Sequence, residues 1–133
     1  MTRRFLLFTA PFLALCEQSP VYDVLERVSS ALSEGDLAVF RTCFDPSMPQ
    51  YERVMADAKG LMEQNNVSST IEVLSESEGA AEIDWTLTMK ARAVADISTE
   101  RRKNVKIRWQ PYRKSARITL LEPVDWFVPP VFK

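Results

Sequence analysis

The sequence predicts an α+β domain in which three N-terminal helices pack on a four-stranded antiparallel sheet. Two observations carry this. Apolar residues recur at helical spacing from Val21 to Met62, and beyond Asn66 the period changes from 3.6 to 2. The alternating runs are separated by turn residues rather than by helical crossovers, so neighbouring strands run antiparallel, with one face on the helices and one in water.

Ser19 and Pro20 form a helix start: serine as N-cap, proline in the first turn, Asp23 near the positive end of the dipole. Val21, Val24, Leu25, Val28 and Leu32 make one apolar stripe, and Gly35 ends the helix. Asp36 caps a short second helix with Leu37, Phe40 and Phe44 on one face, and Asp45-Pro46 stops it. A third helix starts near Pro49, with Tyr51, Val54, Met55, Ala58, Leu61 and Met62 on its buried face. Asn65-Asn66 closes it. Gly60, inside that pattern, costs about 1 kcal/mol relative to alanine and marks either close packing or a weak last turn.

Ile71 and Val73 open the alternating region. Ala81, Ile83, Trp85, Leu87, Met89 and Ala91 then alternate with polar residues without a slip. Val105, Ile107 and Trp109 form the next apolar set, and Ala116, Ile118 and Leu120 the last. Glu78-Gly79 and the stretch from Pro111 to Ser115 are turns, and Ala93 to Thr99 reads as a longer hairpin connection.

Residues 1–16 read as a signal segment and 17–133 as a single domain. Arg3 and Arg4 give a charged start, Phe5 to Leu15 is almost wholly apolar, and Cys16 closes the run before Glu17-Gln18-Ser19-Pro20. The expected location is therefore outside the cytoplasm, in the periplasm or cell envelope. Two fates are open for Cys16. Leu13-Ala14-Leu15-Cys16 resembles the bacterial lipobox, which would make Cys16 a lipidation site and the anchor its one membrane contact. Alternatively, cleavage falls after Cys16. Either leaves Cys43 without a partner, and its setting in Phe40-Arg41-Thr42-Cys43-Phe44 suits a small buried hydrophobe.

The junction Ala31-Leu32-Ser33-Glu34-Gly35-Asp36-Leu37, the short helix closing at Phe44-Asp45 and a third helix leading into long hairpins resemble the nuclear transport factor 2-like superfamily. The resemblance implies a curved sheet wrapped into a cystatin-like cone, shared with ketosteroid isomerase and polyketide cyclases. It fixes no activity, because the fold hosts many. Enzymes of the superfamily have an extra strand or hairpin between the second and third helices, whereas here only Asp45-Pro46-Ser47-Met48 intervenes.

The sequence contains no histidine, so Ser-His and Cys-His nucleophile pairs and most zinc arrangements are unavailable. Three scattered glycines cannot build a phosphate loop. No catalytic residue, metal site or cofactor is assigned. The candidate pocket is apolar and aromatic, with Phe40, Tyr51, Trp85, Met89 and Trp109 facing the inside of the cone. A formal net charge of −1 excludes a general nucleic-acid binder. Charge is nevertheless segregated: Glu72 to Asp84 carries acids alone and Arg101 to Arg117 bases alone. Cross-strand pairing of Glu82 or Asp84 with Lys106 or Arg108 explains much of this. A partner surface of Lys90, Arg92, Lys106, Arg108 and Arg117 is the functional alternative. The expected function is an exported, non-enzymatic binding or assembly module, dimeric through its sheet face. The alternative is a small isomerase, cyclase or carrier for an apolar molecule held in the cone.

Overall fold

The computed structural model describes residues 4–5 (backbone), 19–94 and 96–131. The signal segment, with Cys16, lies outside them except for Arg4–Phe5. Three helices come first: α1 (Pro20–Glu34), α2 (Leu37–Thr42) and α3 (Tyr51–Gln64). Four long strands follow in simple meander order: β2 (Asn65–Ser77), β3 (Ala80–Ala91), β4 (Ser98–Tyr112) and β5 (Ser115–Glu122). A two-residue strand, β1 (Arg4–Phe5), pairs antiparallel with Val73 and Glu72 at the outer edge of β2.

The caps are those the sequence specifies. Ser19 Oγ accepts from the Val21 N–H, Asp36 accepts from the Val39 N–H, and Gly35 sits at φ 69°, the left-handed conformation that ends α1. Gly60 marks close packing: a Cβ there would lie 3.1 Å from Pro129 Cγ. The C-terminal segment therefore lies against α3 where that helix carries no side chain.

Two strand boundaries differ from the sequence reading. β2 begins at Asn65, directly after α3, because Asn65 takes an extended φ/ψ while its side-chain amide still donates to Leu61 O. Its first residues are Asn and Ser, which hide the alternation. β4 begins at Ser98 rather than after Thr99; Ser98, Thr99 and Glu100 pair with Lys90, Met89 and Thr88. Their polarity again concealed a strand.

Each strand is apolar on one face. In β3 every second residue from Ala81 to Met89 is buried, and in β4 the pattern returns at Val105, Ile107 and Trp109. The edge of β5 is covered locally, since Phe44 bridges Ile118 in parallel and the Ile118 N–H donates to Cys43 O at 2.8 Å. The helices do not cover the whole inner face of the sheet. The segment after β5 turns back, and Trp126 (1% exposed) and Phe127 (fully buried) enter the core. Phe127 meets Phe40 and Trp85 edge-on, with centroids 5.1 and 5.5 Å apart, and Trp126 lies 5.8 Å from Trp85.

Because Trp126 is core rather than appendage, Trp126→Ala should cost about 3–5 kcal/mol of stability, measured by urea unfolding. A loss below about 1 kcal/mol would show that the C-terminal segment merely rests on the domain.

Candidate functional site

The sheet positions both surfaces of interest, one turned in and one turned out. On the inner face, Trp85 occupies the middle of β3, and its indole Nε1 donates to Ser69 Oγ at 2.8 Å. Ser69 Oγ is in turn 3.0 Å from Ser29 Oγ on α1. This short hydroxyl chain satisfies the tryptophan's polar atom inside the core. Phe40, Trp85 and Met89 are at most 1% exposed. Tyr51 is partly buried at the start of α3, and Trp109 is 9% exposed.

These five residues do not converge. The Trp109 backbone N–H donates to Gly79 O, so Trp109 stands at the hairpin end of the sheet, beside a residue ten positions along the strand from Met89. At about 3.3 Å per residue that separates them by roughly 30 Å. Trp126 and Phe127 pack against Trp85 and Phe40 in the middle of the sheet. Phe40, Trp85 and Met89 are core residues, Tyr51 packs against the core from α3, and Trp109 lies toward the far end of the sheet.

Arg101 was not singled out by the sequence reading, although one sign was available: it lies on the same parity of β4 as Val105, Ile107 and Trp109, where apolar residues belong. Its guanidinium donates to Val128 O at 2.8 Å and to Trp126 O, and lies over the Trp126 ring, 5.9 Å from its centroid. Partial burial pulls its pKa below the ordinary arginine value, and the carboxylate of Asp125 opposes that shift. Arg101 thus holds the C-terminal segment against the sheet.

On the outer face, Asp84 and Arg102 form a bidentate pair, Nε to Oδ1 at 3.0 Å and Nη2 to Oδ2 at 2.6 Å. That hydrogen bonding raises the Arg102 pKa. The expected partners were Lys106 or Arg108. The register explains the difference: Asp84 stands opposite Asn104, which brings Arg102 within diagonal reach, whereas Lys106 faces Glu82 and Arg108 faces Ala80. Glu82 accepts from Asn104 Nδ2 at 3.4 Å. Among the described residues, Lys106 and Arg108 join no ion pair.

The five candidate partner-surface residues divide. Lys90, Lys106 and Arg108 are exposed on the outer face. Arg117 is half-buried there, its guanidinium carbon 3.6 Å from the centroid of the Tyr112 ring, with Arg113 at 5.1 Å. Arg92 has another task. Its Nε donates to Met62 O and its backbone N–H to Gln64 O, so it caps the C-terminal end of α3. A depression of about 330 Å³ opens on the outer face around Ala80, Glu82, Lys106, Arg108 and Leu120.

Among the described residues no group of three acidic, Cys or His side chains is placed to hold a metal ion, and no helix is long and apolar enough to cross a membrane. Asp45, at the end of α2, accepts from the Ser47 N–H and hydroxyl, which lowers its pKa and makes it a turn residue. Cys43 is fully buried, and burial pushes its thiol up to about 11.

No family model matches the chain, and no curated protein does. Solved structures match in fold. A candidate calcium/calmodulin dependent protein kinase II association domain from Xanthomonas campestris has a TM-score of 0.58 at 11% identity, over 76% of this chain and 81% of that one. Aln2 from a Streptomyces species has a TM-score of 0.55 at 13% identity, over 86% and 93%. A SEC-C motif containing protein from Rhodopseudomonas palustris has a TM-score of 0.54 at 13% identity, over 84% and 85%. At such identities the likeness extends to the fold alone: helices followed by a four-stranded antiparallel sheet.

The raised thiol pKa carries a pH dependence. Its stabilising contribution is present below the unfolded value of 9.0 and is lost as pH rises to about 11. Wild-type protein should lose up to about 3 kcal/mol more than Cys43→Ala between those limits. Parallel loss in both, followed by denaturant unfolding, would remove the thiol as the cause.

Proposed function

We propose that this chain is an exported nuclear transport factor 2-like domain, its sheet curved into the cone of that superfamily, and that it works as a non-enzymatic binding or assembly module through the outer face of the sheet. The observation that supports this reading is that the interior is filled by the chain's own aromatics. Trp85, Trp126 and Phe127 occupy the space where a small molecule would otherwise be held. The outer face of β2–β5 offers instead a broad surface dense in charge. The fold likeness to a protein described as an association domain favours assembly over transport of a small molecule. Export rests on the charged and apolar run that ends at Cys16.

Mass spectrometry of the protein from an exporting bacterial host tests both halves. Under native conditions the expected species is a dimer of bare polypeptide. Under denaturing conditions the expected mass is that of a chain lacking its first residues, with added acyl mass if Cys16 is retained and lipidated. Extra mass present only under native conditions would mean a bound small molecule and would overturn the assembly reading. A full-length mass would overturn export.

A further inference from the structure

The β4–β5 hairpin outruns the rest of the sheet. β3 pairs with β4 no further than Ala80 with Arg108, and the β2–β3 turn ends level with Trp109, whose N–H donates to Gly79 O. Residues 110–117 continue as a two-stranded ribbon, with Gln110 opposite Arg117, Pro111 opposite Ala116 and Tyr112 opposite Ser115. The ribbon carries Tyr112, Arg113, Lys114 and Arg117 and contains no acid. Arg113 and Lys114 are exposed at its tip. The guanidinium carbons of Arg117 and Arg113 lie 3.6 and 5.1 Å from the centroid of the Tyr112 ring. Arg113 sits at φ 57°, in the left-handed region that favours glycine, asparagine or aspartate. The turn thus keeps a cation where glycine would be less strained, as functional positions often do. Among the described residues, Arg113, Lys114 and Arg117 join no ion pair. The acids that face this end are engaged: Asp23 accepts from the Ser115 hydroxyl, and Asp45, which feels the charge of Arg117, accepts from Ser47.

The Asp23–Ser115 contact also sets the N-terminal end of α1 beside the ribbon tip, and Arg27, one turn further on, donates to Ser115 Oγ at 3.5 Å. Ser19 caps α1, and Cys16 precedes it by three positions in the sequence, a reach of at most about 11 Å. Resting on the export reading above, with Cys16 as a lipid anchor, the geometry points to the ribbon as a second membrane contact. It docks on anionic phospholipid headgroups beside the point where the chain is tethered. Guanidinium groups match phosphate oxygens in shape and stay charged at any working pH. Each Lys or Arg near an anionic bilayer adds to the attraction, which fades within a Debye length, so the tip of a projecting ribbon is where such charges act best. Tyr112 adds an apolar ring with a polar end, suited to headgroup depth. The rest of the outer face of the sheet remains available for assembly.

Amide hydrogen exchange of the full chain, mixed with excess vesicles, tests this residue by residue. One vesicle is phosphatidylcholine alone, and the other is phosphatidylcholine with phosphatidylglycerol. An anchor at Cys16 acts alike on both, so the difference between them reports the ribbon. Exchange from Tyr112 to Arg117 should slow by about fivefold or more on the phosphatidylglycerol vesicles relative to the neutral ones, and high salt should abolish the difference. The double variant Arg113→Glu, Lys114→Glu should lose the protection, as should Lys114→Glu alone if the double variant fails to fold. Lys106→Glu, on the sheet behind the ribbon, should keep it. Equal exchange on the two vesicles overturns the membrane contact and leaves export and assembly standing. Protection that survives reversal of the tip, or that Lys106→Glu removes, overturns the ribbon as its seat. Stronger protection of the same amides by a single-stranded oligonucleotide than by the anionic vesicles overturns lipid as the partner. A full-length mass from the exporting host overturns the export reading, a result on which the exchange comparison does not depend.

Discussion

The closure of the inner face of the sheet by Trp85, Trp126 and Phe127 is the constraint on which the rest of the molecule depends. β3 is apolar on one side along its whole length, and burying that side is the main favourable term available to the domain. Three helices, one of them only six residues long, do not cover it. The chain completes the cover with its C-terminal segment, placing two large aromatics against Trp85 and Phe40. Pro129 finds its place on α3 because Gly60 leaves room, and Arg101 fixes the segment by donating to two of its carbonyls.

The outer face of the sheet, by contrast, is polar and dense in charge. The Asp84–Arg102 pair neutralises the middle of that face, leaving Glu82, Lys106 and Arg108 around a shallow hollow. The sheet edges are handled differently at the two sides. β2 is bordered by Arg4–Phe5, and β5 by the short bridge at Phe44. The Phe44 bridge restricts open-ended strand pairing at the β5 side.

Polar contacts also tie the layers together. Ser29 and Ser69 form a bridge from α1 to the Trp85 indole, and Arg92 closes the end of α3 from the β3–β4 connection. Each ties a helix to the sheet through directed contacts, so the helical layer is located by hydrogen bonds as well as by packing.

The sequence by itself determined the element order, the helix caps and the parity of the long strands, because these depend on local spacing: Ser19, Gly35 and Asp36 act within one turn, and the alternation from Ala81 to Met89 is uninterrupted. It also excluded histidine chemistry outright. It did not determine where β2 and β4 begin, since their first residues are Asn, Ser, Thr and Glu, whose polarity masks a period of two. It placed Arg92 on the sheet face, where its parity would put it, although the guanidinium turns to α3. Only the tertiary structure decided that Asp84 meets Arg102, because a diagonal contact depends on the register between strands brought together by folding. The same holds for the candidate pocket. Phe40, Tyr51, Trp85, Met89 and Trp109 share an inward direction that sequence can read, but the distance of Trp109 from Met89 along the sheet, and the packing of Trp126 and Phe127 on Trp85, arise from contacts far apart in the chain.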